Sequence, residues 1–467
     1  MSQTASISHP EFSGLIGIGR ADITPPPGIF ARSWGSSTHD VATGVHKPLY
    51  ASCVLFRGLE EQSSLILLAL DLSFWGNQEE SEIRSEILAK SGLSGDQLVL
   101  HLSHTHSAPR TDLKNADEPG GDLILPWRKK IAEGAVGAIE EARNNAQPST
   151  VTWATGTCRL AHNRDQPIQK AGNATTIVGL NLEGPADDTL LVGRIVDADG
   201  KIRGVLVNYA CHPVSLGGGN TEISPDYVGK MREVVEAEID EGICIFLHGA
   251  SGELTPRISY ASDPAVADQN GLEIAYAVLE TMASTLPAQS NLVFGEVEQS
   301  GAPLGHWVLE EKEARSRVAI DFARVELAYH NLPSLEELDK DIENAVEAFA
   351  LERLNRRRQL RAEMGDGDRR EISIPIWLLG DSVIVALPAE AYSEFQQSLR
   401  KTFPASAIVV LNIANGYFSY LPPRESYDVP DLYQVRVALF EAGCLEKVLA
   451  STQQVIGDLS GNGQGEK

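Results

Sequence analysis

Four apolar runs, each passing without a break into a polar loop, constrain this chain more than any other feature. They are SSLILLALDLSFW, QLVLHLSHTH, GVLVNYACHPVSL and GICIFLHGASGELTPR. Residues 66–70 and 98–102 are almost wholly hydrophobic, which suits strands covered on both faces, and polar side chains begin where the strands end. Helical stretches between the runs, such as 79–89, complete an α/β texture. The expectation is one large α/β domain, a mixed sheet with helices packed on it. Its site should lie at the C-terminal ends of the strands, where open α/β sheets gather their polar loops.

A chain of 467 residues has room for two or three domains of about 150 residues, but the texture continues without a linker, so one unit over 13–458 is expected. Residues 1–12 read as a loose arm and 459–467 as a polar tail. Between 310 and 370, Glu and Arg accumulate around Leu and Ala at helical spacing, with a turn at 331–334. Two amphipathic helices are expected there, a charged insertion suited to either a lid or an interface arm. Gly380-Asp381 reads as a hairpin turn between strands, and Pro388 as the opening of a helix.

With 64 acidic and 39 basic side chains the net charge is −25, which disfavours nucleic acid and anionic membrane and points to a small-molecule partner. The opening MSQTASISHPEFSGL has no basic-then-apolar leader pattern, and no apolar run is long enough to span a bilayer. The sequence therefore reads as a cytoplasmic protein without membrane insertion. Cys53, Cys158, Cys211, Cys244 and Cys444 are scattered singly, as reduced buried thiols would be, so a metal would rest on imidazole and oxygen.

HLSHTHSAP sets His104 and His106 two apart just after an apolar strand, where an extended chain would point both rings the same way. His212 in NYACHP has the same position after its own strand, so three imidazoles are expected at one end of the sheet. His248 is expected behind them. His39 and His46, around a polar loop, are candidates for a pocket wall. Asp71, ending LLALD, is a candidate for holding the tautomer of a ligand imidazole.

In order along the chain, GRADITPPPG, LSHTHSAP, NYACHPVSL, GASGELTPR, LPAEAY and NGYFSYLPPRESY resemble the motifs of neutral/alkaline, non-lysosomal ceramidases, over about 17–441. The resemblance implies a zinc hydrolase whose ligands are His104, His212, Glu390 and Tyr420; Mn, Fe or Co suit such donors too. It implies His106 beside the metal as acid, base or oxyanion donor, Arg164 in AHNRD lining the pocket, and Tyr433 in DLYQVR as a second active-site tyrosine. In the family a serine with an essential role stands where this chain has Thr255, and an aspartate is usual at Glu253. Threonine keeps the hydroxyl on a stiffer side chain, so Thr255 is a candidate for orienting water or substrate, and attack by metal-activated water is expected.

The family's larger members carry a C-terminal β-sandwich that has no counterpart after Tyr433. Together with the acidic charge, this points to a soluble N-acyl amide rather than a lipid in a bilayer. An N-acetylated sugar, amine or amino acid would fit. A metal-dependent lactonase or esterase is the alternative reaction, and a non-catalytic metal-binding relative the alternative class.

Overall fold

The computed structural model describes residues 6–170, 172–330, 333–364 and 367–461. The expected mixed sheet is present. Its eight strands run in the order Ile243–His248, Ile202–Tyr209, Thr189–Asp197, Gln147–Thr157, Glu11–Asp22, Tyr50–Arg57, Leu65–Leu70, Leu98–Leu102. The outermost pair at each edge is parallel, and the inner pairs are antiparallel. A second sheet of four strands, Val318–Ala328, Arg369–Leu379, Ser382–Ala386 and Ala407–Leu411, packs on one face of the first.

Alternation along the apolar runs explains the layering. Leu65 and Leu67 point into a core shared with Trp377, Leu379, Ile384 and Val409 of the second sheet. Ile66, Leu68 and Leu70 point the other way, against helix Ile124–Asn144. Helices Tyr227–Ala237 and Pro264–Ser284 cover the rest of that face, and Glu394–Thr402 with Cys444–Gly461 cover the far side of the second sheet. Both faces of each run are thus buried, as unbroken hydrophobicity requires. Helix Ile124–Asn144 sits so close that strand Glu11–Asp22 needs glycine beneath it: a Cβ on Gly17 would lie 1.8 Å from the Ala142 carbonyl oxygen.

The large sheet curls until its two edges meet. Although strands Ile243–His248 and Leu98–Leu102 stand at opposite ends of the order, the His248 N–H donates to His101 Nε2 at 2.9 Å. Residues 412–415 fill the remaining gap, with the Asn412 N–H donating to His248 O at 3.0 Å and the Asn415 N–H to Leu100 O at 2.9 Å. This closure gathers loops from both edges and from the second sheet at one place.

Several expectations need correction. Residues 6–12 are not loose: Ser6–Ser8 is a strand, and Glu11 and Phe12 are buried in the large sheet. Helix Cys444–Gly461 runs into the start of the supposed tail, the rest of which lies outside the described residues, as do 1–5. The charged stretch does hold two helices, Leu335–Glu343 and Ala348–Met364, but it begins with strand Val318–Ala328, where Ala323, Val325 and Leu327 are buried at period two. Of the turn at 331–334, residues 331 and 332 are outside the described set, while Ser334 caps Leu335–Glu343 in a capping box with Glu337.

Gly380-Asp381 turns a hairpin as expected, with Leu379 opposite Ser382. Pro388 opens no helix. The chain after it forms the two-residue strand Glu390–Ala391, because the Ala389 carbonyl accepts from Ile413 and the Glu390 N–H donates to Ser419, and cross-chain bonds replace helical ones. All five cysteines are buried and free, and no helix among the described residues is long and apolar enough to cross a membrane.

Candidate active site

Histidine geometry at the closure is set by backbone, not by strand alternation. His104 takes φ 66, in the left-handed region, so the extended chain assumed in the sequence reading stops one residue short of it. A non-glycine residue held there costs on the order of 1–3 kcal/mol and persists only where its surroundings impose it. The chain turns, and the His106 N–H donates to Pro213 O at 3.3 Å, tying this loop to the one that carries His212.

The ring nitrogens are then fixed by what accepts from them. His104 Nδ1 lies 2.7 Å from Ser73 O, and His212 Nδ1 lies 2.7 Å from Ser251 O. A carbonyl only accepts, so each Nδ1 carries a proton and each Nε2 is turned toward the interior of the cluster. One ring nitrogen from each of His104, His106 and His212 lies within 4.8 Å of the others. Glu390 Oε2 stands 2.9 Å from His212 Nε2 and 3.3 Å from His104 Nε2. The other carboxylate oxygen accepts from the Tyr417 hydroxyl at 2.8 Å.

Strand Glu390–Ala391 pairs in parallel with Tyr420–Leu421, which sets Tyr420 beside Glu390. Arg164 Nη2 donates to the Tyr420 hydroxyl at 3.0 Å and lies 3.3 Å from His212 Nε2, while its guanidinium is anchored by two bonds to Gly252 O, at 2.6 and 3.1 Å. The Tyr433 ring, 39% exposed, lies 5.9 Å from that of Tyr420, at the mouth.

Burial, and then the charge of Arg164, pushes His212 down to about 3. Burial together with the neighbouring His104 and His212 holds His106 well below its usual value as well. The Glu390 carboxyl is opposed by burial, yet His104 and His212 bring it well below the carboxylate range. His212 Nε2 thus faces an ionised carboxylate at 2.9 Å, a contact that needs positive charge, a proton or a metal, between the two atoms. Buried nitrogen and oxygen donors converging in this way suit a divalent transition metal.

Thr255 is buried in strand Leu254–Pro256, one residue past the Leu254 carbonyl, which accepts from His212 Nδ1 at 3.1 Å. Its hydroxyl meets no partner among the described residues. Glu253 turns away, accepting the Ser393 N–H at 3.0 Å, and burial raises it to about 7. His248 sits behind the cluster as expected, its ring stacked 5.4 Å from that of His104 and its Nε2 2.7 Å from Ser251 Oγ.

His39 does line a small cavity of about 10 Å³, room for one water, together with Trp34, Ser37, His106 and Asn220. His46 is instead engaged by Ser224 Oγ at 2.9 Å and Asp268 at 3.3 Å. Asp71 touches no imidazole. It pairs with Arg232 at 2.6 Å and accepts the Tyr50 N–H at 2.9 Å, and backbone carbonyls take the role expected of it.

Sequence reasoning passed over Tyr417, although it is the first tyrosine of the NGYFSY motif that supplied Tyr420. It passed over Trp34 too, whose ring lies 5.2 Å from that of His106. Ser73 and Ser251 act through carbonyl oxygens, which leave no mark in a sequence.

The family model described as neutral/alkaline non-lysosomal ceramidase, N-terminal, matches residues 15–269, more than half of the chain. The chain belongs to this family. Neutral ceramidase of Pseudomonas aeruginosa is 25% identical over 256 residues, 52% of this chain and 37% of that protein. The neutral ceramidase of Drosophila melanogaster is 23% identical over 227 residues, 48% of this chain and 32% of that one. The matched stretch thus spans about a third of these curated relatives.

A solved structure described as ceramidase complexed with C2 superposes with a TM-score of 0.64 at 18% identity, over 96% of this chain and 74% of that one. The crystal structure of the Pseudomonas aeruginosa neutral ceramidase gives 0.63 at 18%, with the same coverage. The family match takes in His104, His106, Arg164, His212 and Thr255. Glu390, Tyr417, Tyr420 and Tyr433 lie beyond it, and it is the fold that brings them to the same place.

Proposed function

We propose that this chain is a zinc-dependent hydrolase of a soluble N-acyl amide. The observation that carries the reading is the meeting of Glu390 with the Nε2 atoms of His104 and His212, whose Nδ1 atoms are taken up by backbone carbonyls, a convergence of buried nitrogen and oxygen donors that suits a divalent cation. Family membership supports the amide, since the relatives' names describe ceramidases.

His104, His212, Glu390 and Tyr420 would hold the metal. When bound, zinc brings the pKa of water down to about 7 and polarises a carbonyl. Arg164, anchored on Gly252 O, presents its guanidinium where negative charge would develop on the substrate oxygen, and one such donor contributes about 3 kcal/mol to the barrier. Held neutral beside the cluster, His106 can take a proton and pass it to the leaving amine. Thr255, its hydroxyl uncommitted, can orient water or substrate.

Elemental analysis of the wild type beside His104→Ala and Glu390→Ala tests this first. About one zinc per chain, lost in both variants, is the expected result. Wild type that takes up no metal even after zinc supplementation overturns the proposal. Matched amide and ester substrates then separate amidase from esterase, because His106→Ala should cost amides more than esters, whose leaving groups need less protonation.

A further inference from the structure

After helix Pro264–Ser284 the chain leaves the body of the molecule as a ribbon. Strands Ser290–Ser300 and Ala302–Glu311 pair antiparallel across a turn at Gly301 (φ 69), and Ser6–Ser8 pairs with the first of them. Every residue of Ala302–Glu311 is exposed, as are 294–300 opposite. Register places Ile7, Leu292, Phe294, Trp307 and Leu309 on one face, and Val293 and Val308 on the other. Trp307 is 44% exposed, Leu309 53% and Ile7 52%. A ribbon that buries so little against its own chain has little stability alone, and exposed apolar patches of this kind mark interaction sites.

Ala302–Glu311 is also an open sheet edge. Its sequence, APLGHWVLEE, holds no lysine, and its proline is the second residue, so between Leu304 and Leu309 the edge is interrupted only by the bulge at 294–297 on the neighbouring strand.

We propose that this arm pairs edge to edge with the arm of a second copy of the chain, forming a symmetric dimer across a two-fold axis. Charge favours a second copy over other occupants. Two chains of net charge −25 repel almost everywhere, but 302–309 carries no acid, and its one titratable side chain, His306, is engaged by Glu298 at 2.9 Å. Antiparallel pairing centred on Trp307 sets Glu310 opposite Leu304 and Glu311 opposite Pro303, so no two acids face each other. A nucleic acid or anionic lipid would instead meet Glu296, Glu298, Glu310 and Glu311. The paired edge strand engages 10 residues a side, at the small end of specific interfaces. Pairing would join the two three-stranded sheets into one and cover the Ala302–Glu311 edge of each copy.

Sedimentation velocity on the full chain should show a dimer. Trp307→Lys combined with Leu309→Lys should sediment as a monomer with unchanged circular dichroism and thermal midpoint, since both side chains are exposed in one copy. Trp307→Cys provides an independent measurement. The native cysteines are buried, so mild oxidation should convert this variant to a covalent dimer through position 307 alone. A wild type that stays monomeric up to its solubility limit overturns the proposal, as does a dimer that survives the lysine pair or a Trp307→Cys chain that fails to cross-link.

Discussion

At the scale of single residues, the site depends on groups that hold its donors as much as on the donors themselves. Tyr417 donates to the Glu390 oxygen that faces away from the imidazoles. Tyr417→Phe should lower metal affinity about 10–100-fold, the usual cost of losing such a support, while the metal-free protein keeps its thermal midpoint. Competition with a chromophoric chelator measures it, and an unchanged affinity would remove Tyr417 from the proposed site. Glu253 offers a different readout, because its carboxyl, ordinarily near 4.5, is raised to about 7 in the fold by burial. Between those values the folded chain holds a proton that the unfolded chain releases. The associated stability is present below about 4.5 and is lost as pH rises through about 7, a swing of about 3 kcal/mol. Urea midpoints should therefore fall less from about pH 5 to about pH 8 in Glu253→Gln than in the wild type; parallel slopes would contradict the assignment.

At the scale of elements, close approach does the positioning. Helix Ile124–Asn144 reaches strand Glu11–Asp22 through Gly17, where a Cβ would meet the Ala142 carbonyl oxygen at 1.8 Å; at exposed Gly137 on the same helix a Cβ would meet nothing within 4 Å. Opposite signs follow. Gly17→Ala should destabilise by about 1–3 kcal/mol through overpacking, whereas Gly137→Ala should stabilise by about 0.5–1 kcal/mol through helix propensity. Denaturant titration of both reads the contrast, and equal effects would mean that the helix does not sit where the structure has it.

Element types were largely legible beforehand. The runs at 66–70 and 98–102 became strands because unbroken apolarity admits burial on both faces. Strand Val318–Ala328 was not, since its alternation is diluted by Asp321, Arg324 and Glu326 and reads as part of the charged stretch that follows. Pro388 misled because a proline before an acidic residue is a helix signal only when the local carbonyls remain free.

At the scale of the whole molecule, the proposed metal would tie together loops from both edges of the large sheet and from the second sheet, so its binding should stabilise the entire fold. At free zinc about 100 times the dissociation constant the gain is about 2.7 kcal/mol. Thermal melts with zinc and with chelator should differ accordingly in the wild type and coincide in His104→Ala. Coincident melts in the wild type would separate this centre from the stability of the fold.

The sequence alone determined the apolar strands at 66–70 and 98–102, the loops that end such runs and the histidines in those loops, because hydrophobic periodicity and strand burial are properties of neighbours along the chain. Family motifs added Glu390, Tyr420, Arg164 and Tyr433 as names without places. Tertiary structure decided the rest: the curl that brings His101 to His248, the left-handed turn at His104, the carbonyls of Ser73 and Ser251 that choose each tautomer, and the parallel pairing that sets Glu390 beside Tyr420. These depend on how two sheets pack, bringing together residues from about 30 to 147 positions apart in the chain, and local pattern carries no information about that separation.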